Sequence, residues 1–357
     1  MTHYQLLSSW ENLRVAYQNA ARGKRKNPGV AAFEHRLEEN LWQLHLELRQ
    51  QTYRPAGYHS FFIHDPKKRL ISAAPFRDRV VHHALCQLTQ PVFEHSFIFN
   101  SFANRSGKGT HRARQQCQAF ARKFPYILQC DIREFFPSID HAILKRRIAI
   151  KITDQQVLRL VNLILQSGEQ VLKEQYTMVY FSGDDLFAPL RPRGLPIGNL
   201  TSQLWANVYL NPFDHFIKRQ LRCPAYLRYV DDFLLFAHSK KQLWQWKHEI
   251  EQFLASLRLT MHPGSHPRPV SEGIPFLGFQ IFPEKIRLKP RNGYHYRRKL
   301  QQMKRQYQKG KISLDKITAS VQGWANHSHY GNTVGLRKAI LSSHSIPPRT
   351  NLPEVSF

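Results

Sequence analysis

The chain alternates between two kinds of hydrophobic pattern. In "AAFEHRLEENLWQLHLELRQQ", Phe33, Leu37, Leu41, Leu44 and Leu48 recur near helical spacing. With the stretch before the basic loop "ARGKRKNPG", where Pro28-Gly29 is a breaker, this predicts two helices over 1–50. "YHSFFIHDPKKRLISAAP" reads as two short strands joined at Asp65-Pro66-Lys67-Lys68. A helix starting near Asp78 follows. "YILQCDIREFF" predicts an apolar strand ending at Asp131, with a helix after it. "GLPIGNLTSQLWANVYL" predicts a loop opening onto a helix that Asn199 or Thr201 caps, and Asn211-Pro212 reads as the start of a second helix. "AYLRYVDDFLLFAHS" predicts a hairpin, "KKQLWQWKHEIEQFLASL" a helix, and "GIPFLGFQIF" one more strand. Strands alternating with helices predict an α+β fold: a sheet covered by helices on one face.

Composition changes the picture by naming a class of partner. With 52 Lys+Arg against 25 Asp+Glu, the formal charge is +27, which attracts polyanions, nucleic acid foremost. A hydrophobic content of 42% with 23 Phe supplies a core and argues against wholesale disorder. The start "MTHYQLLSSWENLRVAY" carries Glu11 and Arg14 and reads as no secretory signal, and no apolar run reaches the length of a bilayer span. The four cysteines (Cys86, Cys117, Cys130, Cys223) form no CxxC pair, which fits a reduced, intracellular protein without structural zinc. From Lys285 to Lys311, eleven Lys/Arg mix with Tyr294, Tyr296 and Tyr307 and no acidic residue. That mixture suits a phosphate-and-base surface, the alternative being a solvated helix face.

The candidate chemistry lies in three carboxylates. An Asp231-Asp232 pair between strands is most simply an exposed turn, yet no Gly or Asn accompanies it as tight hairpins favour. Asp131 also ends an apolar strand. If those strands are neighbours, the three repelling charges call for divalent cations, and hard oxygen ligands select Mg²⁺ or Mn²⁺. Two such ions suit in-line displacement at phosphorus, the chemistry of a nucleotidyl transferase or a nuclease. No GxSxG elbow supports a Ser-His-Asp hydrolase.

"YVDD" with "LQCDIREFFPSIDH" and "GLPIGNLTSQLWANVYL" resembles the palm of reverse transcriptases. "RLISAAPFRDRVVHHAL" and "SFANRSGKGTH" precede the first Asp, and "GIPFLGF" follows the pair, in the family's order. The resemblance runs from about Phe61 to Phe282, with a thumb-like echo in "WANHSHYGNTVGLRKAI". It implies a right-hand polymerase: an N-terminal helical extension (1–50), fingers and palm (51–282), a basic helical thumb (283–341) and a disordered tail (342–357).

Carried over position by position, the resemblance implies that Asp131 and Asp231 are the principal metal ligands, with the Ile132 backbone carbonyl and Asp232 completing the site for two Mg²⁺ ions. It makes Phe136 the residue that blocks a ribose 2′-OH, while Phe135 is core. Arg69 matches the position gripping the incoming triphosphate, helped by Lys67 or Lys68, and guanidinium forks suit that task. Arg105 and Lys108 in "RSGKGTH" are placed on template or phosphate, and Arg297, Arg298, Lys304 and Arg305 of the basic stretch on template and primer. Where many polymerases carry a Lys before the "FLGF" strand, this chain has none. His262, His266 or Arg268 are the substitutes on offer, or this is a loop without that role.

Two departures narrow the family. Ile197-Gly198 stands where most reverse transcriptases read Gln-Gly, and Ser202-Gln203 where they read Ser-Pro. An aliphatic residue there, with Gln203 after the Ser and "WENLRVAYQNAARGKRKNPGVAAFE" at the N-terminus, resembles the reverse transcriptases of diversity-generating retroelements. That resemblance implies cDNA synthesis from dNTPs on a template RNA, errors opposite adenines, and a small basic helical oligomeric accessory protein. It also implies a cytoplasmic, bacterial or phage-encoded setting with no membrane. A polar contact absent at Ile197 loosens discrimination by on the order of 1–3 kcal/mol. The alternatives are a retron, intron-derived or phage-defence reverse transcriptase, or a catalytically silent RNA-binding scaffold on this fold.

Overall fold

A computed structural model describes residues 2–64 and 68–342. The N-terminal segment folds as four helices rather than two: α1 (His3–Leu7), α2 (Trp10–Ala21), α3 (Pro28–His35) and α4 (Leu37–Arg49). Ser9 accepts from the Asn12 backbone and restarts the helix at α2, while Arg36, at φ −126° and ψ 51°, breaks α3 from α4. Phe33, Leu41, Leu44 and Leu48 are buried as their spacing predicts, and Leu37 only partly.

β1 (His59–Ile63) and β2 (Arg69–Ala73) form an antiparallel hairpin with Phe61 opposite Ile71. Asp65, Pro66 and Lys67 of its turn lie outside the described residues. α5 (Phe76–Glu94) begins two residues before the expected Asp78. Asp78 does not cap it. It is buried and accepts from the Tyr53 hydroxyl (2.8 Å) and the Ala56 N–H (2.9 Å), tying the preceding loop to the helix.

After α6 (Thr110–Ala121) come β3 (Tyr126–Asp131), α7 (Phe135–Ser138), α8 (His141–Ala149) and α9 (Gln155–Gly168). α10 (Leu200–His215), β4 (Ala225–Tyr229), β5 (Asp232–Ala237), α11 (Lys240–Ser256) and β6 (Pro267–Pro269) complete the central unit. Its sheet has the order β4-β5-β3-β6, antiparallel throughout. Strand alternation sorts the side chains between two cores. Leu128, Cys130, Phe233 and Leu235 join the core built with α10 and α11. Ile127, Leu234 and Phe236 face Ala113, Cys117 and Ala121 of α6. The helical cover expected on one face is thus matched on the other by α6 and by residues of a second sheet.

Two local expectations are corrected. Pro212 does not open a new helix but lies inside α10, which runs on into a π-helical turn at residues 216–220. A proline has no N–H to give the Val208 carbonyl one turn earlier, yet the helix continues through it. Asn211 does not cap; its side-chain amide donates to Ser96. The "GIPFLGFQIF" segment is not one strand but β7 (Ile274–Phe276) and β8 (Phe279–Ile281), turned at Leu277-Gly278 with both φ values positive (46° and 85°). β9 (Ile286–Leu288) completes this three-stranded sheet, which therefore straddles the boundary expected at 282/283.

The basic stretch is helical: α12 (Pro290–Gln308), then α13 (Leu314–His329) and α14 (Val334–Ser342). Tyr296, Leu300 and Met303 pack with Ile317, Trp324 and Ile340, and Phe279 of β8 joins the same cluster. The tail beyond residue 342 lies outside the described residues. All four cysteines are free and buried. Among the described residues no helix is long and apolar enough to cross a membrane.

Candidate active site

The palm strands bring two of the three carboxylates into register. β3 pairs with β5 so that Asp131 lies directly opposite Asp232, and β4 pairs with β5 so that Tyr229 lies opposite Asp232. Only Val230 and Asp231 are left to turn the chain. The hairpin is a tight turn after all, although it lacks Gly or Asn, and Val230 adopts φ +58°. For a β-branched residue that conformation is an outlier costing on the order of 1–3 kcal/mol, and it persists only where surrounding structure holds it.

The turn presses Asp231 against Asp131. Burial first, and the neighbouring Asp131 charge second, raise the Asp231 carboxyl to about 6, partly offset by the positive charge of Arg69. The backbone closes around the pair: the Ile132 N–H donates to the Asp231 carbonyl (3.4 Å), and the His262 N–H to the Asp131 carbonyl (2.8 Å). Asp131, Asp231 and Asp232 are all half-buried, at the rim of the sheet. Among the described residues no group of three or more His, Cys, Asp or Glu is arranged to hold a metal ion.

Arg69 begins β2 and is exposed, with its charge felt at Asp231. Lys68 lies over the Phe62 ring (4.3 Å), and Lys67 falls outside the described residues. The fingers hairpin is fastened to the loop before α10. Ser72 donates from its backbone to the Ile197 carbonyl (2.8 Å), and Asn199 donates to the Ser72 and Pro196 carbonyls while accepting from the Ala74 N–H. Asn199 occupies the cap position of α10, but its side chain makes no cap bond and instead joins fingers to palm. Gly198 (φ +121°) brings the loop so close that a Cβ there meets Ile71 at 3.1 Å. Ile197 and Gln203 are half-buried beside it. Phe135 is core, while Phe136 is half-buried, packed against that core and edge-on to Phe135.

The other basic candidates separate. Arg105 is no surface contact: its guanidinium is bound to Glu94 (2.6 Å) and to the Ile98 and Ser101 carbonyls, so it braces its own loop. Lys108 lies over Phe99 and donates to the Phe99 carbonyl. Arg297, Arg298 and Arg305 are exposed on α12, and Lys304 is half-buried. Arg268 donates to Gln129 and to the Gly273 carbonyl, which ties its guanidinium to β3 and to the start of β7. His262 is exposed next to Asp131, and the exposed His266 ring contacts the Gly264 carbonyl within its own loop.

Sequence reasoning missed two groups. A cavity of about 260 Å³ between α12 and α13 is lined by Arg291, His295 and Lys299 with Trp324 and His327. Beneath the Val230–Asp231 turn, Arg228 and Asp214 form an ion pair with neither side chain exposed. The signal was available: an arginine inside the apolar strand "AYLRYV" requires a buried counter-charge.

Comparison with known proteins follows the same lines. Residues 64–281 match the family described as "Reverse transcriptase (RNA-dependent DNA polymerase)". Protein YkfC of Escherichia coli (strain K12) is 24% identical over 307 residues, covering 73% of this chain and 77% of that protein. Group II intron-encoded protein LtrA of Lactococcus lactis subsp. cremoris is 25% identical over 209 residues, covering 57% of this chain. The chain spans only 33% of LtrA's length. Among solved structures, apo telomerase from Candida tropicalis superposes with a TM-score of 0.47 at 13% identity, covering 65% of this chain and 55% of that one.

Proposed function

The chain belongs to the reverse transcriptase (RNA-dependent DNA polymerase) family, and on that premise we propose that it copies a template RNA into cDNA by nucleotidyl transfer at Asp131 and Asp231. The observation carrying this reading is the pressed pair of carboxylates at the rim of the palm, with Asp231 raised to about 6 by burial and by Asp131. Charges so placed attract a divalent cation. Mg²⁺ characteristically takes one or two carboxylates and completes its shell with substrate phosphates and water, so a cage of three protein carboxylates is not required.

Asp131, Asp231, the Ile132 carbonyl and, less directly, Asp232 would hold two Mg²⁺ or Mn²⁺ ions. When bound, these ions supply activation of the attacking 3′-hydroxyl and charge stabilisation at the leaving pyrophosphate. Arg69 contributes the guanidinium at the triphosphate, fixed through β2 to the palm by Ser72 and Asn199. Phe136 excludes a ribose 2′-hydroxyl and so selects dNTPs. Arg297, Arg298, Lys304 and Arg305 carry template and primer on the surface of α12.

Within the family, Ile197 and Gln203 support a diversity-generating role, in which cDNA with errors at template adenines replaces a variable repeat. A small basic helical oligomeric accessory protein is the partner that goes with it. Both chains being cationic, RNA is the natural bridge between them. Similarity to LtrA, an intron-encoded protein, favours the second reading, an intron-derived enzyme. Primer extension with sequencing of the cDNA separates them. Errors concentrated at template adenines are expected of the first, and a uniform error spectrum counts heavily against it.

A further inference from the structure

The Asp231 turn is held from below. Arg228 lies on β4, three residues before Asp231, and its side chain is completely buried. Nε and Nη2 donate to the two carboxylate oxygens of Asp214 on α10 (2.8 and 2.7 Å), and the Tyr226 hydroxyl donates to the same carboxylate (2.7 Å). Nη2 also reaches the Ser101 hydroxyl (3.2 Å), and Nη1 the Asn207 amide oxygen (3.2 Å). The planar fork is therefore fixed at every nitrogen. Its remaining contact is Nη1 to the Val230 carbonyl, at 2.8 Å.

We propose that the Arg228–Asp214 pair is a positioning device for the transfer reaction: it holds the strained Val230 peptide, and through it the Asp231 carboxylate, against Asp131. The proposal rests on the polymerase reading of the site. Two facts separate this role from plain stabilisation. A buried ion pair is weak support for stability, because apolar residues of similar volume often replace it without loss. A valine at φ +58°, however, needs an external hold, and an apolar replacement offers nothing to the Val230 carbonyl. The frame is also shared with the rest of the site. Asp214 ends the helix whose start fastens the fingers, and the Arg228 backbone bonds Asn100 and Phe102 in the segment leading to "RSGKGTH".

The test uses the full chain in RNA-templated extension with Mg²⁺, reading kcat and the dNTP KM, with melting curves alongside. Arg228→Lys is expected to lower kcat about 10–100-fold with the dNTP KM within about twofold. In case that variant fails to fold, the apolar exchange Arg228→Met with Asp214→Leu and Tyr226→Phe is expected to fold, melting below the parent because Ser101, Asn207 and Val230 lose their partner, and to lose turnover in the folded protein at temperatures well below its own melting point. Adding Val230→Gly, which takes positive φ without strain, is expected to restore at least about fivefold in either background. Parent-like kcat in the apolar exchange, or no gain from glycine in a folded variant, overturns the proposal. Absence of extension by the unmodified protein would instead count against the polymerase reading.

Discussion

Asp131 faces Asp232, not Asp231, across the β3–β5 ladder, and Asp231, in the two-residue turn beside that pair, lies near enough to feel the Asp131 charge. The site therefore stores unfavourable electrostatics and backbone strain in one peptide.

Removing the buried Asp231 charge, and with it the repulsion from Asp131, is expected to stabilise the metal-free protein. The Asp231 carboxyl titrates near 6 in the folded chain and near 3.8 unfolded. Between those values the folded state binds more protons, so this group's contribution to stability falls as pH rises through the window. Asp231→Asn in EDTA at pH 7.5 should raise the melting temperature by a few degrees, for a gain on the order of 1–3 kcal/mol. The gain should disappear below pH 4, which a series of melts in EDTA checks.

Phe136→Ala is expected to admit ribonucleotides. The ring is half-buried and packs against the core from its edge, so its loss opens space at the surface at a modest cost in stability. The preference for dNTPs over rNTPs, read as a ratio of kcat/KM values, should fall about 10–100-fold while melting changes little.

Asn199→Ala is expected to loosen the fingers. Three hydrogen bonds to Ser72, Ala74 and Pro196 vanish, leaving buried backbone groups unpaired at about 1–3 kcal/mol. Because β2 carries Arg69, the dNTP KM should rise several-fold more than kcat falls, as steady-state kinetics will show.

The basic residues should divide by salt dependence. Arg298→Ala and Arg305→Ala are each expected to reduce the slope of log affinity against log salt by about 1, the signature of a lost phosphate contact. Arg105→Ala is expected to leave that slope unchanged and lower the melting temperature, since its guanidinium binds Glu94 and two carbonyls. Filter binding to an RNA duplex across a salt series measures both.

The β4–β5 hairpin was legible because its signals are local: apolar strands of period two, with acidic residues where they end. Asp131 and Asp231 follow from that pattern and from motif order. What stayed hidden depends on partners far along the chain. Asn199 looks like a helix cap, but Ser72 of β2, 127 residues earlier, binds its side chain. Arg105 looked like a phosphate ligand because nothing nearby in sequence marks Glu94 as its partner. Pro212 read as a helix start because propensity favours that, yet packing on both sides carried α10 through it. Leu277-Gly278 carries no turn signal because the apolar run continues across it without a polar break.

The central claim is that Asp131 and Asp231 carry RNA-templated DNA synthesis. Single-turnover dNTP incorporation on a primed RNA template, with Mg²⁺, measures it directly. The unmodified chain should extend the primer, and Asp131→Ala and Asp231→Ala should each lose at least about 1,000-fold in rate, roughly 4 kcal/mol, while still binding the template. Extension by either alanine variant at near the parent rate would contradict the account.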